Sequence, residues 1–288
     1  MRRLQLPKDA YATPRVSPDG RRVAYSVRGT NANIWIANLD GETVPRRLTF
    51  DGRNRFPVWS ADGEHVAFES DRAGAQAIFW QRADGNGNAE QLTTPEAGTA
   101  HAPEAFSPDG DRLLVRVTSG TTFSLWSWSR RDQSLVRLDE AGSRETNATF
   151  SPDGRWIAYN ATEGSRARSF VQPFPPNGAK YQLPVPEESS DMAIHPVWVR
   201  GVPELIYAVG QGMLASTRVN TSSTVDFGPP TVVRIPGAGD ASFRSWDVTP
   251  DGRSIVRVIE ADAGPALSPP IHVVLNWFEE LKARTPVR

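Results

Sequence analysis

Two of the four histidines, His101 and His195, are the residues of this sequence best suited to acid–base chemistry. An imidazole titrates near neutral pH, so either ring would serve as a general base that activates water. Glu104 and Asp247 are carboxylates in comparable sequence positions. Together these groups would hydrolyse a lactone, an ester, or a phosphate or sulfate ester. The plainer interpretation is that both histidines are polar loop residues.

Arginines offer a second kind of chemistry, which is anion binding. Several of them precede short hydrophobic segments, as the two histidines do. Guanidinium groups bind carboxylates and phosphates through paired hydrogen bonds, so arginines around one opening would attract an anion. The alternative is that they are solvated residues on a wide rim. The predicted ligand-binding set is Tyr11, Arg53, Arg55, Glu104, Arg144, Asn147 and Arg244.

A divalent metal is the third chemistry to consider. Calcium prefers hard oxygen ligands, and Glu104, Asn147 and Asp247 would offer three. Zinc would add His101 or His195. This set is small for a metal centre, so we expect no cofactor, with calcium or zinc as the alternative. The chain has no cysteine, which excludes disulfides, thiolate metal sites and a cysteine nucleophile.

A repeated turn positions all of these residues. The motif Ser-Pro-Asp-Gly fits a tight turn, because Pro sets φ at the second position and Gly suits the fourth. Successive copies are separated by 43, 47, 44, 48 and 50 residues. Its copies are Ser17–Gly20, Ser107–Gly110 and Ser151–Gly154, the variants Ser60–Gly63 and Thr249–Gly252, and a degenerate copy at Val199–Gly201.

Each repeat predicts four strands. In the fourth repeat a hydrophobic strand ends at Phe150, and a second strand, 155–159, follows the turn. A third strand such as 33–37 and a short fourth strand such as 46–49 complete the pattern in the first repeat. Four strands in about 45 residues is typical of a β-propeller blade. We therefore predict an all-β, six-bladed propeller whose channel mouth is built by the loops that enter each innermost strand.

The ends of the sequence predict how the propeller closes. The last repeat supplies three strands, and Arg2-Arg3-Leu4 matches the fourth strand of the first repeat, Arg46-Arg47-Leu48. We expect the N-terminal strand to complete the last blade, which would pair both chain ends and remove an open seam. Residues 1–288 would then form one domain, with a short helix at about 276–284.

The Ser-Pro-Asp-Gly repeat resembles the TolB-type, WD-repeat-like propellers, over nearly the whole chain. The segment 273–281, Val-Val-Leu-Asn-Trp-Phe-Glu-Glu-Leu, is similar to the end of propellers fused to bacterial serine/threonine kinase domains. That resemblance implies an extracytoplasmic or periplasmic sensor. Related propellers also accompany prolyl-oligopeptidase-type peptidases. The sequence contains neither the kinase catalytic motifs nor the Gly-x-Ser-x-Gly motif of those hydrolases.

The composition narrows the classes of partner that this protein is expected to bind. The chain has 32 Lys and Arg against 33 Asp and Glu, which is not the footprint of a nucleic-acid-binding surface. No segment has the roughly 18 apolar residues of a spanning helix, so we expect no membrane insertion. We predict a monomeric, non-catalytic module that binds a peptide, a protein or a small anionic ligand at the channel mouth. The alternative is a promiscuous hydrolase centred on His101 and His195.

Overall fold

The computed structural model describes residues 2–4, 6, 10–139, 145–163, 166–187, 189, 192–221, 224–235, 244–259 and 271–274. Within these ranges every regular element is a β-strand and there is no helix. The helix expected at about 276–284 lies outside the described residues, as does Arg144.

The described strands form six antiparallel sheets, and β1 (Arg2–Arg3) precedes the first of them. Sheet 1 contains β2 (Tyr11–Val16), β3 (Arg22–Val27), β4 (Asn33–Asn38) and β5 (Arg46–Arg47). Sheet 2 contains β6 (Asn54–Trp59), β7 (His65–Ala73), β8 (Ala75–Arg82) and β9 (Glu90–Gln91). Sheet 3 contains β10 (Thr99–Phe106), β11 (Arg112–Ser119), β12 (Thr122–Ser129) and β13 (Leu135–Arg137).

The remaining sheets follow the same order. Sheet 4 contains β14 (Glu145–Phe150), β15 (Trp156–Glu163), β16 (Arg166–Pro173) and β17 (Tyr181–Gln182). Sheet 5 contains β18 (Ile194–Trp198), β19 (Glu204–Gly210), β20 (Met213–Asn220), β21 (Asp226–Phe227) and β22 (Thr231–Arg234), the last two both paired with β20. Sheet 6 contains β23 (Trp246–Val248), β24 (Ile255–Val258) and β25 (Ile271–Val274).

The sheets are arranged as a propeller. Their first strands contact one another in sequence: β2 with β6, β6 with β10, β10 with β14, and β14 with β18. β23 contacts β2, so sheet 6 lies beside sheet 1. The expected pairing of the N-terminal strand also occurs, because Arg2 is opposite Val273 and Arg3 is opposite His272 in the ladder between β1 and β25.

The hydrophobic core lies between the sheets. Each of six core clusters combines residues of two neighbouring sheets, including one between sheets 6 and 1 that joins Tyr11 and Tyr25 to Val256 and Val258. The aromatic residues that precede four of the turns pack in these layers: Trp59, Phe150 and Trp198 are buried, and Phe106 is partly buried. Burial of apolar surface on both faces of a sheet therefore stabilises the arrangement.

The repeated turn is held by the same hydrogen bonds in five of the described copies. The hydroxyl of the first residue donates to the aspartate Oδ1 at 2.5–2.6 Å and accepts from a backbone N–H five residues later at 2.9–3.0 Å. The same Oδ1 accepts from the N–H two residues beyond the aspartate at 2.9–3.1 Å. The motif thus satisfies backbone donors that the turn would otherwise leave unpaired.

These turns also contact each other from sheet to sheet. Gly20 has φ +71°, and a Cβ there would lie 3.2 Å from Pro250 Cδ, in the turn of sheet 6. Gly63 has φ +72°, and its Cβ would lie 3.4 Å from Pro18 Cδ, in the turn of sheet 1. The left-handed backbone therefore favours glycine at both positions, and the close approach of Pro250 adds a steric reason at Gly20.

A pH titration of Asp109→Asn tests the turn. Hydrogen bonds from Ser107 and from the Asp111 N–H hold the pKa of Asp109 below its ordinary value. A depressed carboxyl pKa contributes stability above the unfolded pKa, and that stability is lost as the pH falls through the folded pKa. We expect the variant to unfold about 0.5–1 kcal/mol more easily at pH 7, and the difference to shrink below about pH 4.

Urea unfolding at several pH values measures this difference. Asp111→Asn is the matched control, because the Asp111 side chain accepts none of the turn hydrogen bonds and its loss should leave stability nearly unchanged. A difference between Asp109→Asn and the native chain that is constant from pH 7 to pH 3 would contradict the role assigned to the ionised carboxylate.

Candidate functional site: the charged channel mouth

A bulge in the first strand of the sheets shapes the channel. The register shifts at Thr13, Phe56, Asn147 and His195, and these four residues have φ between +47° and +58°. Sheet 3 has a shift at Glu104, between Pro103 and Ala105. A bulge bends a strand and redirects side chains, and left-handed non-glycine residues concentrate at functional positions.

Charged side chains from sheets 1, 3 and 6 meet beside these bulges. We call Arg15, Glu104, Arg116, Arg244 and Asp247 the central charge cluster. Arg244 Nη2 lies 3.5 Å from Asp247 Oδ1, and Arg116 Nη1 lies 3.6 Å from Glu104 Oε1. Asp247 Oδ2 also accepts the Val16 N–H at 2.8 Å, which links sheet 6 to sheet 1. Arg15 Nη1 donates to the Arg244 carbonyl at 3.3 Å.

Burial perturbs these charges. It lowers the pKa of Arg15 to about 9, helped by the nearby Arg244 cation and opposed by Asp247 and Glu104. Burial also raises the pKa of Glu104, although Arg116, Arg15 and the Asn147 N–H oppose the shift. Nε of Arg15, Arg116 and Arg244 has no hydrogen-bond partner among the described residues. Three guanidinium groups against two carboxylates leave the cluster with excess positive charge and unused donors.

A cavity of about 230 Å³ opens at the mouth between sheets 1 and 2. We call it the mouth cavity. Three arginines, Arg28, Arg53 and Arg55, line it together with Phe56, and no carboxylate does so among the described residues. Arg53 is exposed, whereas Arg55 Nε donates to the buried Glu69 at 2.9 Å. The cavity therefore presents cationic groups to solvent, and Glu69 holds one of them in place.

The predicted ligand-binding residues within the described ranges do not form one site. Arg53 and Arg55 line the mouth cavity, while Glu104 and Arg244 belong to the central charge cluster. Asn147 is half-buried at a bulge, and its N–H donates to Glu104. Tyr11 is buried in the core between sheets 6 and 1, where its ring meets Tyr25 edge-on at 5.3 Å.

The two histidines are not brought together. His101 lines a cavity of about 500 Å³ on the flank of sheet 3, and burial lowers the pKa of its imidazole. His195 lines a separate cavity of about 70 Å³ with Trp246 and Arg257. The backbone N–H of His195 donates to Asn160 Oδ1 at 2.7 Å. A single catalytic centre that uses both imidazoles is therefore not formed in this arrangement.

The carboxylates proposed as metal ligands have guanidinium neighbours. Glu104 lies beside Arg116, and Asp247 lies beside Arg244, so the local field opposes a divalent cation. This donor set does not fit calcium or zinc. Among the described residues, one group of three donors lies close enough to hold an ion: Asp62, Glu64 and His65, near the turn of sheet 2.

Sequence reasoning missed Arg15, Arg28, Arg116 and Glu69. Arg15 has a usable signal, because it stands two residues before its turn, in the same register as Asp247 of the last repeat. Arg116 and Glu69 lie on the second strands of their sheets, β11 and β7. Only the packing of neighbouring sheets shows that these side chains reach the channel.

Glu104→Gln tests the balance of charge in the cluster. Removing one carboxylate leaves three arginines facing one anion in a partly buried cluster, which is costly in a low-dielectric setting. We expect the free energy of unfolding at pH 7 to fall by about 1–3 kcal/mol, measured by urea denaturation. Glu187→Gln, an exposed glutamate, is the control and should change stability little. Equal stability of the two variants would show that Glu104 does not offset the arginines.

The chain resembles known proteins in sequence over about half of its length. No family model matches the sequence. The chain is 29% identical to the uncharacterized peptidase YuxL of Bacillus subtilis over 192 residues, covering 51% of this chain and 29% of that protein. It is 26% identical to the Tol-Pal system protein TolB of Francisella tularensis over 162 residues, covering 54% of this chain and 36% of that protein. The chain thus spans about a third of the length of these relatives.

Solved structures show the same architecture. A putative TolB from Agrobacterium tumefaciens has a TM-score of 0.65 at 15% identity, covering 92% of this chain and 91% of that chain. TolB from Acinetobacter baumannii has a TM-score of 0.66 at 18% identity, covering 90% of this chain and 62% of that chain. The described residues include no helix long and apolar enough to cross a membrane. The all-β fold of this chain is that of a TolB-like β-propeller.

Proposed function

We propose that this chain is a non-catalytic binding module that takes an anionic group of a peptide, a protein or a small ligand at the mouth of its channel. The observation that carries the proposal is the mouth cavity, where Arg28, Arg53 and Arg55 converge and no carboxylate is among the described lining residues. Such a surface suits a carboxylate or a phosphate.

The central charge cluster supports the same ligand charge. Phe56 lines the mouth cavity, and the guanidinium of Arg116 lies 4.7 Å from the centre of its ring. The Arg55 guanidinium lies 5.5 Å from the same ring. Phe56 therefore connects the cavity with the excess positive charge deeper in the channel. An anion at the mouth would be attracted by both groups of arginines.

The wider binding site and the surroundings of the protein are part of this proposal. Arg144, Asn147 and Arg244 remain predicted contributors around the mouth. We also propose a monomeric, single-domain propeller of six blades in a closed ring. The apolar cluster between sheets 6 and 1 and the close approach of Gly20 to Pro250 support closure. An extracytoplasmic, sensor-like role follows from the resemblance of the sequence to TolB-type and kinase-linked propellers.

Arg53→Glu tests the binding module. The probe is a fluorescein-labelled hexaglutamate peptide, followed by fluorescence anisotropy at low salt, with the matching hexalysine peptide for comparison. We expect hexaglutamate to bind more tightly than hexalysine, and Arg53→Glu to weaken its binding at least about fivefold, because an exposed charge reversal changes both attraction and repulsion. Raising the salt concentration should weaken binding further.

Arg131→Glu is the matched control for this experiment. It makes the same charge change at an exposed position in the turn after β12, away from the mouth cavity. Preference for hexalysine, or equal loss of hexaglutamate binding in both variants, would overturn the assignment of the mouth cavity as an anion site.

A hydrolase is the second candidate function, favoured by the likeness to the uncharacterized peptidase of B. subtilis. It would use His101 or His195 as the general base. Because these imidazoles line separate cavities, we expect no hydrolysis of 4-nitrophenyl acetate above the buffer rate. Turnover by the native chain that falls at least about 100-fold in the His101→Ala, His195→Ala double variant would favour the hydrolase instead.

A further inference from the structure

The cavity on the flank of sheet 3 is separate from the channel mouth. Its volume of about 500 Å³ lies within the range of small-molecule sites. The wall crosses all four strands of the sheet, from Thr99 and His101 on β10 to Arg137 on β13. The connection from sheet 2 closes one side with Thr94 and Glu96. We call this space the flank cavity.

A buried hydrogen-bonding group lines the flank cavity. His101 is only 4% exposed, and its Nδ1 has no hydrogen-bond partner among the described residues. An unsatisfied buried nitrogen costs free energy unless a water or a ligand pairs with it. Burial lowers the pKa of His101, so the imidazole is neutral at pH 7 and Nδ1 is able to accept a hydrogen bond. His101 is therefore a residue of the cavity wall whose buried Nδ1 lacks a hydrogen-bond partner among the described residues.

The charge of the flank cavity is negative. Arg137 lines it, but its Nε donates to Asp139 Oδ1 at 2.6 Å, and the Asp139 side chain is fully buried. The positive charge of Arg137 is thus matched within the protein. Glu96 is exposed and forms no ion pair with a described residue. One carboxylate near His101 therefore remains without a cationic partner among the described residues. The charge of the flank cavity is thus opposite to that of the mouth cavity.

An indole provides the apolar part of the wall. Trp126 lines the cavity, and its Nε1 donates to Ser124 Oγ at 2.8 Å, which holds the ring in place. Val117, the ladder partner of His101, is buried and also lines the flank cavity. Indole faces attract cations, and a positioned aromatic ring also packs against apolar ligand groups.

We propose that the flank cavity binds a small organic cation, a primary amine with an apolar or aromatic group, whose ammonium faces Glu96 and donates to His101 Nδ1. The apolar group would pack against Trp126. This site and the mouth cavity select opposite charges, so the proposal does not depend on the function assigned to the mouth.

Isothermal titration calorimetry at pH 7.5 tests this site with three matched probes: 2-phenylethylamine, 2-phenylethanol and phenylacetate. We expect the amine to bind one per chain, and the alcohol and the acid to bind at least about fivefold more weakly. Glu96→Gln removes the charge but keeps the shape, and should raise the Kd of the amine about fivefold. His101→Leu removes the acceptor but keeps a similar side-chain volume. It should raise the Kd of the amine by at least as much as Glu96→Gln does.

Control variants distinguish an effect on the flank cavity from an effect on folding or on the mouth cavity. Glu42→Gln, an exposed glutamate on sheet 1, should leave amine binding unchanged. Glu96→Gln should also leave hexaglutamate binding at the mouth unchanged. If His101→Leu does not fold by its thermal melt, Glu96→Gln decides alone. No measurable heat with the amine, equal affinity for the amine and the alcohol, or an unchanged Kd in Glu96→Gln would overturn the proposal.

Discussion

Every sheet of this protein has two apolar faces, and that constraint underlies the rest of the structure. In sheet 1, Ala24, Ile34 and Ile36 pack against sheet 2, whereas Val23 and Tyr25 pack in the core shared with sheet 6. Because such a sheet cannot expose either face to water without losing its main source of stability, it needs a neighbour on each side. The propeller arrangement meets this need for neighbouring sheets, and it places their first strands side by side.

The channel takes its character from where the chain departs from regular strand geometry. Bulges recur at nearly the same register, at Thr13, Phe56, Glu104, Asn147 and His195. Side chains that would alternate between sheet faces are redirected there. Charged residues from different sheets consequently meet in a small volume, where burial alters the pKa of Arg15 and Glu104. The charged channel is thus a consequence of the bulges in the first strands of sheets 1 to 5.

The molecule separates its charges by location. The mouth cavity gathers Arg28, Arg53 and Arg55, while the flank cavity presents Glu96 beside a neutral imidazole. The net charge of the whole chain is only −1, so the composition does not indicate either the positive mouth cavity or the negative flank cavity. Local fields of opposite sign would let one propeller distinguish an anionic ligand from an organic cation.

The repeated unit could be predicted from the sequence, because Ser-Pro-Asp-Gly turns are local and their hydrogen bonds need only nearby residues. The sequence also predicted Arg53, Arg55, Glu104, Arg244 and Asp247 as residues of the mouth, since the turn sets the register of each first strand. The packing of the sheets places Tyr11 in the core and His101 and His195 in different cavities, which the sequence did not indicate. The tertiary structure alone revealed the pairing of Glu104 with Arg116. Such contacts depend on which face of a strand meets the neighbouring sheet, and a bulge changes that face without a reliable signal in the sequence.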